Sequence, residues 1–326
     1  MYTATAAPSL STQVLHIAAV APCGADTVLC TLVPPEGQAL APWTAGAHLD
    51  VHLPGGLVRP YSLCSDPADT QHYRIAVKRE PQGRGGSVAF HAHVRAGGTL
   101  TVGQPRNLFA LSDDASHYLL VGGGIGVTPL LAMAHTLHAR QAAFTLAVFA
   151  RSPEHLPLPS DWQQWPWADQ VQIYCGLERS AAQAQLGQLQ QALPATARVY
   201  TCGPHGFMEA VRTASALPAG RIHSEHFSAP TTAAPAAAAG AFEVILARQG
   251  GRRIAVAADQ SMADALHGAG VAVDMVCEQG VCGSCITRFT DGTPIHHDAC
   301  LAADEQATHL AVCCARSATP TLTLDL

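Results

Sequence analysis

Hydrophobic and polar positions alternate in short runs across residues 10 to 110: "TQVLHIAAV", "TVLCTLVP", "HLDVHLP", "YRIAVKR" and "TLTVGQP". Period-two patterning bounded by turn residues predicts strands, and closely spaced runs of this kind predict an antiparallel β-barrel. From 111 to 227 the pattern changes. Apolar runs, "YLLVGG", "FTLAVFA", "VQIYC" and "VYTCG", alternate with helical stretches expected to start at Pro129 and Pro204. Strands interleaved with helices predict an α/β domain with a parallel sheet. Residues 228 to 240, "SAPTTAAPAAAAG", carry no charge and no large apolar side chain, and read as a semi-extended linker. Beyond it, residues 241 to 326 form a third expected domain.

That third segment holds the most specific motif. In "CEQGVCGSC", Cys277, Cys282 and Cys285 stand in the C-x4-C-x2-C arrangement. With a distant fourth cysteine this is the plant-type spacing for a 2Fe–2S cluster. Four thiolates must converge from a tight loop, and Gly280 and Gly283 let the backbone wrap closely enough to direct N–H groups at sulfur. Structural zinc favours paired C-x2-C motifs instead. Three residues compete for the fourth position. Cys300, in "HHDACLAADE", sits at the expected approach to a helix, where a cysteine is more often simply packed. Cys313 and Cys314 lie in "HLAVCCARS", which reads as a strand or strand end. Side chains alternate along a strand, so only one of the pair would face the cluster, and the other would pack on the opposite face. Spacing alone does not separate the three.

A cluster that passes single electrons raises the question of their source. "RPYSLCSD" offers Arg59 for a phosphate, Tyr61 to pack on a ring and Ser62 for a flavin edge, although it also fits an ordinary barrel strand. "GRGGS", residues 83 to 87, precedes an expected helix, and glycines before a helix N-terminus make an anion site. "GGSVA" lacks the final glycine of a hydrolase nucleophile elbow, which excludes that reading. "YLLVGGGIGVTPLLAMA" is a strand, a glycine loop and a helix start, without the third glycine of the dinucleotide fingerprint. "VYTCGP" repeats the device, putting Cys202, Gly203 and Pro204 at a strand end facing the same crevice. Cys202 reads equally as a small buried hydrophobe.

Composition narrows the classes. The chain has 326 residues, 48% hydrophobic and 13% charged, with a net charge of −6. Two or three domains are expected. Lys and Arg are scattered, so no nucleic-acid partner is expected. The N-terminus lacks a signal-peptide pattern, and the longest apolar run is broken by four glycines and a proline, so no membrane span is expected. Eleven cysteines without a secretion signal point to a reducing, cytoplasmic setting, with metal or catalysis before disulfides.

Taken in order, "RPYSLC", "AVKREPQGRGGS", "VGGGIGVTP", "YTCGP", "HSEHF", "CEQGVCGSC" and "VCCARS" resemble, end to end, the phthalate dioxygenase reductase family. The resemblance implies an antiparallel barrel for flavin (1–110), an α/β nucleotide domain (111–227) and a C-terminal plant-type ferredoxin domain of β-grasp fold (241–326). It implies a monomeric NADH-dependent reductase that feeds a Rieske-type oxygenase component. The implied cofactors are FMN, a 2Fe–2S cluster and NADH. It implies Arg59, Tyr61 and Ser62 at the flavin, Arg84, Gly86 and Ser87 at its phosphate, and Val77 and Lys78 among the cofactor contacts. NADH would meet Gly123, Gly124, Thr128 and Cys202 to Pro204. Ser62, Cys202, Glu225 and Phe227 would flank the reacting rings. The family's final cysteine is followed by two residues and Arg, a register that makes Cys313 the fourth ligand. Arg151, in "ARSPEH", lies where a 2′-phosphate would be tested, leaving NADPH open, and "HHD" (His296 to Asp298) reads as a metal pair or a surface loop. Competing readings are a reductase for another acceptor, such as a cytochrome P450 or a ferredoxin, and a redox sensor without turnover.

Overall fold

The computed structural model describes residues 11–228 and 240–326. The expected linker at 228–240 therefore falls almost wholly outside the described residues. The chain divides into two compact units, Met1–Glu225 and His226–Leu326.

The first unit begins with strands β1 (Thr12–Pro22), β2 (Thr27–Val33), β3 (Ala47–Leu53), β4 (Leu57–Ser62) and β5 (Tyr73–Lys78), then helix α1 (Gly86–His93), β6 (Thr99–Gly103) and the short β7 (Arg106–Asn107). Their antiparallel order is β4-β3-β6-β1-β2-β5, with β7 on β3, and a bridge between Leu63 and Ile75 brings the two ends together into a nearly closed barrel. The alternating apolar positions point inward as the pattern requires: Leu15, Ile17, Leu32, Leu49, Val51, Ile75 and Val102 are buried together, and Phe90 of α1 plugs the same core.

The α/β part follows as β8 (Tyr118–Gly123), α2 (Val127–Ala139), β9 (Phe144–Ala150), β10 (Val171–Cys175), α3 (Arg179–Gln191), β11 (Arg198–Cys202), α4 (His205–Ala214) and β12 (Ile222–Glu225). The sheet is parallel, in the order β10-β9-β8-β11-β12. Every residue of β8 is buried, because it is central and covered on both faces. Leu120 packs toward α2, while Leu119 and Val121 pack toward α3 and α4. The chain runs outward from β8 through β9 and β10, then returns to β11. The reversal point therefore lies between β8 and β11, where ligands bind in open α/β sheets. Barrel residues Ala45, Cys64, Ala76 and Phe109 join the core around α2, which makes barrel and sheet one unit.

The second unit holds β13 (Phe242–Leu246), β14 (Arg252–Val256), α5 (Met262–Gly268), β15 (Ile286–Asp291), β16 (Pro294–Ile295), β17 (His309–Ala311), β18 (Arg316–Ser317) and β19 (Thr321–Leu324). The main sheet runs β14-β13-β19-β15-β17, with parallel pairing only between β13 and β19. Arg316 is buried, with its guanidinium bonded to the Ala257, Gln260 and Gly240 carbonyls and lying over the Phe242 ring. A buried cation is tolerated there because its donors meet carbonyls.

Candidate functional site

Three groups of predicted residues come together in the first unit, and one in the second. At the barrel rim, Gly85 takes a left-handed φ of 80° and starts α1 without a side-chain cap. The first helical hydrogen bond runs from Ala89 N–H to Gly85 O, so the amides of Gly86, Ser87 and Val88 precede the helical ladder and point at the helix entrance. Arg59, on β4, crosses this turn: its guanidinium donates to Val58 O (2.7 Å) and to Arg84 O (3.1 Å). A Cβ on Gly86 would lie 2.5 Å from Arg59 Cγ, so glycine is what lets the arginine pass. Ser87 Oγ accepts from Glu80 N–H at 3.0 Å. Tyr61 leans edge-on against Phe90, and burial pushes its hydroxyl up to about 12 against the opposing pull of Arg59. Val77 is buried and its carbonyl faces His91 Nε2 at 2.8 Å. Lys78 pairs with Glu80 (3.3 Å) and Asp26 (3.9 Å).

The glycine loop closes against the neighbouring strand end. Cys202 pairs with Gly122 across the sheet, and a Cβ on Gly203 would sit 3.0 Å from Gly123 Cα. Gly124 has φ of 55° and open space beyond its Cα. Thr128 is buried and its hydroxyl donates to Ile125 O (2.9 Å), so it shapes the loop from within. α2 starts at Val127, two residues before Pro129, and Pro204 caps α4. Arg151 is exposed; it contacts His155 and reaches Asp26 of the β1–β2 turn at 4.0 Å. No local pattern marks Asp26, which pairs with both Lys78 and Arg151 only because the barrel turn docks there through Ala25 N–H to Glu154 O (2.7 Å).

Between these groups stands a buried polar cluster. Ser62 at the end of β4 hydrogen-bonds the carboxyl of Glu225 at the end of β12, and Glu225 lies beside Cys202 in strand register. At the opposite end of β11, Arg198 bonds Asp114 at 2.6 and 2.7 Å and His223 at 2.7 Å. Glu225 Oε2 is sealed from solvent and has no hydrogen-bond partner. Burial raises its carboxyl to about 8, against the Ser62 bond that favours the ion. Cys202 is fully buried, and burial first, then the adjacent Glu225 charge, push its thiol well above the usual range. Phe227, two residues past Glu225 in sequence, is 44% exposed within the second unit.

The raised Glu225 carboxyl has a stability consequence. The native state holds a proton that the unfolded chain releases near 4.5, so stability is fully present below that pH and is lost as pH rises through about 8. Glu225→Gln is expected to flatten this dependence and to gain on the order of a few kcal/mol over wild type between pH 5 and pH 9. Urea unfolding followed by tryptophan fluorescence checks it, because Trp43, Trp162, Trp165 and Trp167 all lie in the first unit. An unchanged slope would remove Glu225 from this role.

In the second unit the thiols meet in two pairs, Cys277 with Cys282 and Cys285 with Cys313, all four buried. Among the described residues no three His, Cys, Asp or Glu side chains gather as a single-ion site. Two pairs suit two irons, each taking two thiolates. The loop aims its amides at sulfur: Gln279 N–H reaches Cys277 (3.4 Å), Gly280 N–H reaches Cys313 (3.2 Å), and Ser284 Oγ lies 3.2 Å from Cys282. The Cys282 contact and the N–H groups of Val281, Gln279 and Cys282 hold the Cys277 thiol down at about 7 despite burial. The donor set and its cradle fit a 2Fe–2S cluster.

The strand expectation for Cys313 and Cys314 is corrected here. β17 ends at Ala311, and residues 312–314 form a turn in which the Cys314 and Ala315 N–H groups both return to Ala311 O. Alternation does not apply in a turn, and Cys314 is not on an opposite face: its sulfur lies against Gly280 and beside Cys313. Cys300 sits near Cys282 and Cys285, taking the Gly283 N–H, and the helix expected after it is a single 3-10 turn, Glu305–Ala307. Of "HHD", the Asp298 side chain is buried, 3.4 Å from His296 Nδ1, and accepts Leu301 N–H (3.1 Å), which is loop support.

Comparison with known proteins closes the identification. Residues 245–318 match the 2Fe-2S iron-sulfur cluster binding domain. A solved phthalate dioxygenase reductase, described as a modular structure for electron transfer from pyridine nucleotides to [2Fe–2S], is 36% identical, with 97% of this chain and 98% of that one covered at a TM-score of 0.72. The chain belongs to the phthalate dioxygenase reductase family. Within reach of that family, the phenoxybenzoate dioxygenase subunit beta of Ectopseudomonas oleovorans is 40% identical over 99% of this chain and 100% of its own length. An intact type IV self-sufficient cytochrome P450 monooxygenase carries a similar region: 32% identity, TM-score 0.86, 97% of this chain and 41% of that one. In a phthalate dioxygenase reductase of this build, barrel, nucleotide sheet and ferredoxin domain share one chain, and among the described residues no helix is long and apolar enough to cross a membrane.

Proposed function

We propose that this reductase takes electrons from NADH and delivers them to the oxygenase component of a Rieske-type aromatic-acid dioxygenase or demethylase system. The reading rests on one observation above the others: Ser62 from the barrel hydrogen-bonds Glu225, which lies beside Cys202 in the nucleotide sheet, at the strand ends where the glycine loop opens. FMN, when bound, accepts a hydride and releases electrons one at a time, which a 2Fe–2S cluster requires. Arg59, Arg84, Gly86 and Ser87 would hold its phosphate at the α1 N-terminus, and Tyr61, Val77 and Lys78 would line its path. Gly123, Gly124 and Cys202 to Pro204 receive the dinucleotide, with Thr128 bracing the loop. Arg151 is engaged by Asp26, which favours NADH over a 2′-phosphate. Ser62 Oγ orients the Glu225 carboxyl, which holds its proton at neutral pH in a water-poor site. Cys277, Cys282, Cys285 and Cys313 hold the cluster. The chain acts as a cytoplasmic monomer, with the barrel at 1–110, the nucleotide domain at 111–227 and the ferredoxin domain at 241–326.

A visible spectrum recorded before and after NADH tests the reading. Flavin and cluster features should both bleach, and retention of either in anaerobic NADH would sink it. The likeness to the P450 monooxygenase supports a second acceptor class, a cytochrome P450 haem. Rates with purified Rieske and P450 acceptors separate the two, and fast turnover excludes a sensor.

A further inference from the structure

Asp26 belongs to the barrel, yet its carboxylate reaches a strand end of the nucleotide sheet. It lies in the turn between β1 and β2, which the Cys23 N–H closes onto Thr27 O (2.9 Å). The turn is fastened on two sides. Ala25 N–H donates to Glu154 O (2.7 Å) in the loop after β9, and Arg79 N–H, just past β5, donates to Asp26 O (2.7 Å). The approach is close: a Cβ on Gly24, whose φ is 93°, would lie 3.0 Å from Leu156 O. Asp26 Oδ2 comes within 4.0 Å of Arg151 Nη2 and 3.9 Å of Lys78 Nζ, and Thr27 Oγ1 donates to its other oxygen at 3.4 Å. Arg151 is the first residue beyond β9, and Gly123 is level with Phe149 across the sheet. The arginine therefore stands at the same end as the glycine loop. In open α/β sheets that bind dinucleotides, this is where an acid reads the ribose 2′-hydroxyl or an arginine holds a 2′-phosphate. Here the guanidinium is engaged on a second side, by His155 Nε2, while His155 Nδ1 lies 2.8 Å from Ser152 Oγ. Arginine can only donate, so His155 keeps its proton on Nδ1 and offers Nε2 as the acceptor.

We propose that Asp26 is the residue that sets the preference of this reductase for NADH over NADPH, by occupying Arg151 and by placing a like charge against a 2′-phosphate. The inference deepens the proposed function and rests on the reading of the glycine loop as the dinucleotide site. An arginine with a free fork binds a phosphate through two parallel charge-assisted bonds. With Asp26 on one side and His155 on another, that fork is already taken. A phosphate arriving at Arg151 would also stand beside the Asp26 carboxylate, and like-charge juxtaposition disfavours it. NADH carries only a hydroxyl there and meets neither obstacle. The barrel turn thus discriminates at a site built by the nucleotide sheet. Asp26 acts through Arg151, as a positioning residue for specificity, and takes no part in the hydride step.

The test is calorimetric binding of NADP+ and NAD+ to the full-length holoprotein, with kcat/KM for NADPH and NADH measured beside it. Asp26→Asn keeps the shape and removes the charge, whereas Asp26→Glu keeps the charge. In the Asn variant the ratio of NADP+ to NAD+ affinity should rise about ten-fold, the size of one released ion pair and one removed repulsion. The NADPH-to-NADH ratio of kcat/KM should follow it. The Glu variant should keep the wild-type ratios. Combining Asp26→Asn with Arg151→Ala should abolish the gain, because the arginine is what the substitution frees. An unchanged affinity ratio in the Asn variant, or a gain that persists without Arg151, overturns the proposal. So does an equal gain in the Glu variant, which would trace to the turn and not to the charge. Wild-type protein that binds neither nucleotide defeats the dinucleotide reading itself, and this inference with it.

Discussion

Cys313→Ser is expected to give protein without a 2Fe–2S cluster and with its first unit intact. Cys313 pairs with Cys285, so its loss leaves the second iron one thiolate short. A serine hydroxyl ionises far less readily than a thiol and is a harder donor than iron–sulfur chemistry favours. The two units fold as separate compact bodies, so the barrel and the nucleotide sheet should be untouched. NADH-dependent reduction of ferricyanide, which draws on the flavin, should stay within about two-fold of wild type, as for distant independent sites. Reduction of the oxygenase component should fall at least ~100-fold, because an obligatory carrier is missing. Iron assay, visible spectrum and both rates check this. Cys300→Ser is the control and should keep its iron. Full iron in the Cys313 variant, with loss in the Cys300 variant, would move the fourth ligand to Cys300.

How much of this was legible in the sequence depends on how local the cause is. The barrel strands were readable because each half-buried strand writes a period of two, as in Leu15 and Ile17 against exposed His16. β8 was readable as an unbroken apolar run because it is covered on both sides. The helix α3 was not: among its 13 residues only Leu186 and Gln190 are buried, which leaves almost no apolar stripe. The C-x4-C-x2-C spacing was readable because its three thiols lie on one loop. The fourth ligand was not, since it comes from a turn that the run "HLAVCC" does not announce. The apolar residues before it continue a strand-like pattern, while the chain actually bends at Val312 to fill space beside Gly280. Glu225 shows the same limit at the other site. Its meeting with Ser62 is made by the packing of barrel on sheet, and neither neighbourhood carries a sign of the other. The resemblance to a family named both residues, but only the three-dimensional contact explains the raised carboxyl.

Gly126→Ala should be the most damaging single-methyl change in the nucleotide loop. Gly126 has an ordinary helical φ of −63°, so no backbone preference forbids alanine. The obstacle is distance. A Cβ there would lie 2.6 Å from Gly203 N and closer still to the Cys202 carbonyl. Those are backbone atoms at the end of a central parallel strand, and no rotamer change relieves them. Either β11 moves away from β8 or the loop lifts, and both disturb the strand ends that carry Cys202 and Glu225. The expected cost is about 3 kcal/mol of first-unit stability, at the upper end for overpacking. NADH-driven flavin reduction should fall by ~100-fold, as for an angstrom-scale misplacement. Gly124→Ala is the informative contrast. Its φ of 55° makes alanine cost about 1 kcal/mol, yet its Cβ would enter open space. That variant should fold, keep its flavin, and raise the KM for NADH with little change in kcat, because the added methyl intrudes only where the dinucleotide lies. Equal stability losses in the two variants would mean that close packing of the loop on β11 is not what Gly126 provides. A Gly124 variant with unchanged KM would place the dinucleotide elsewhere.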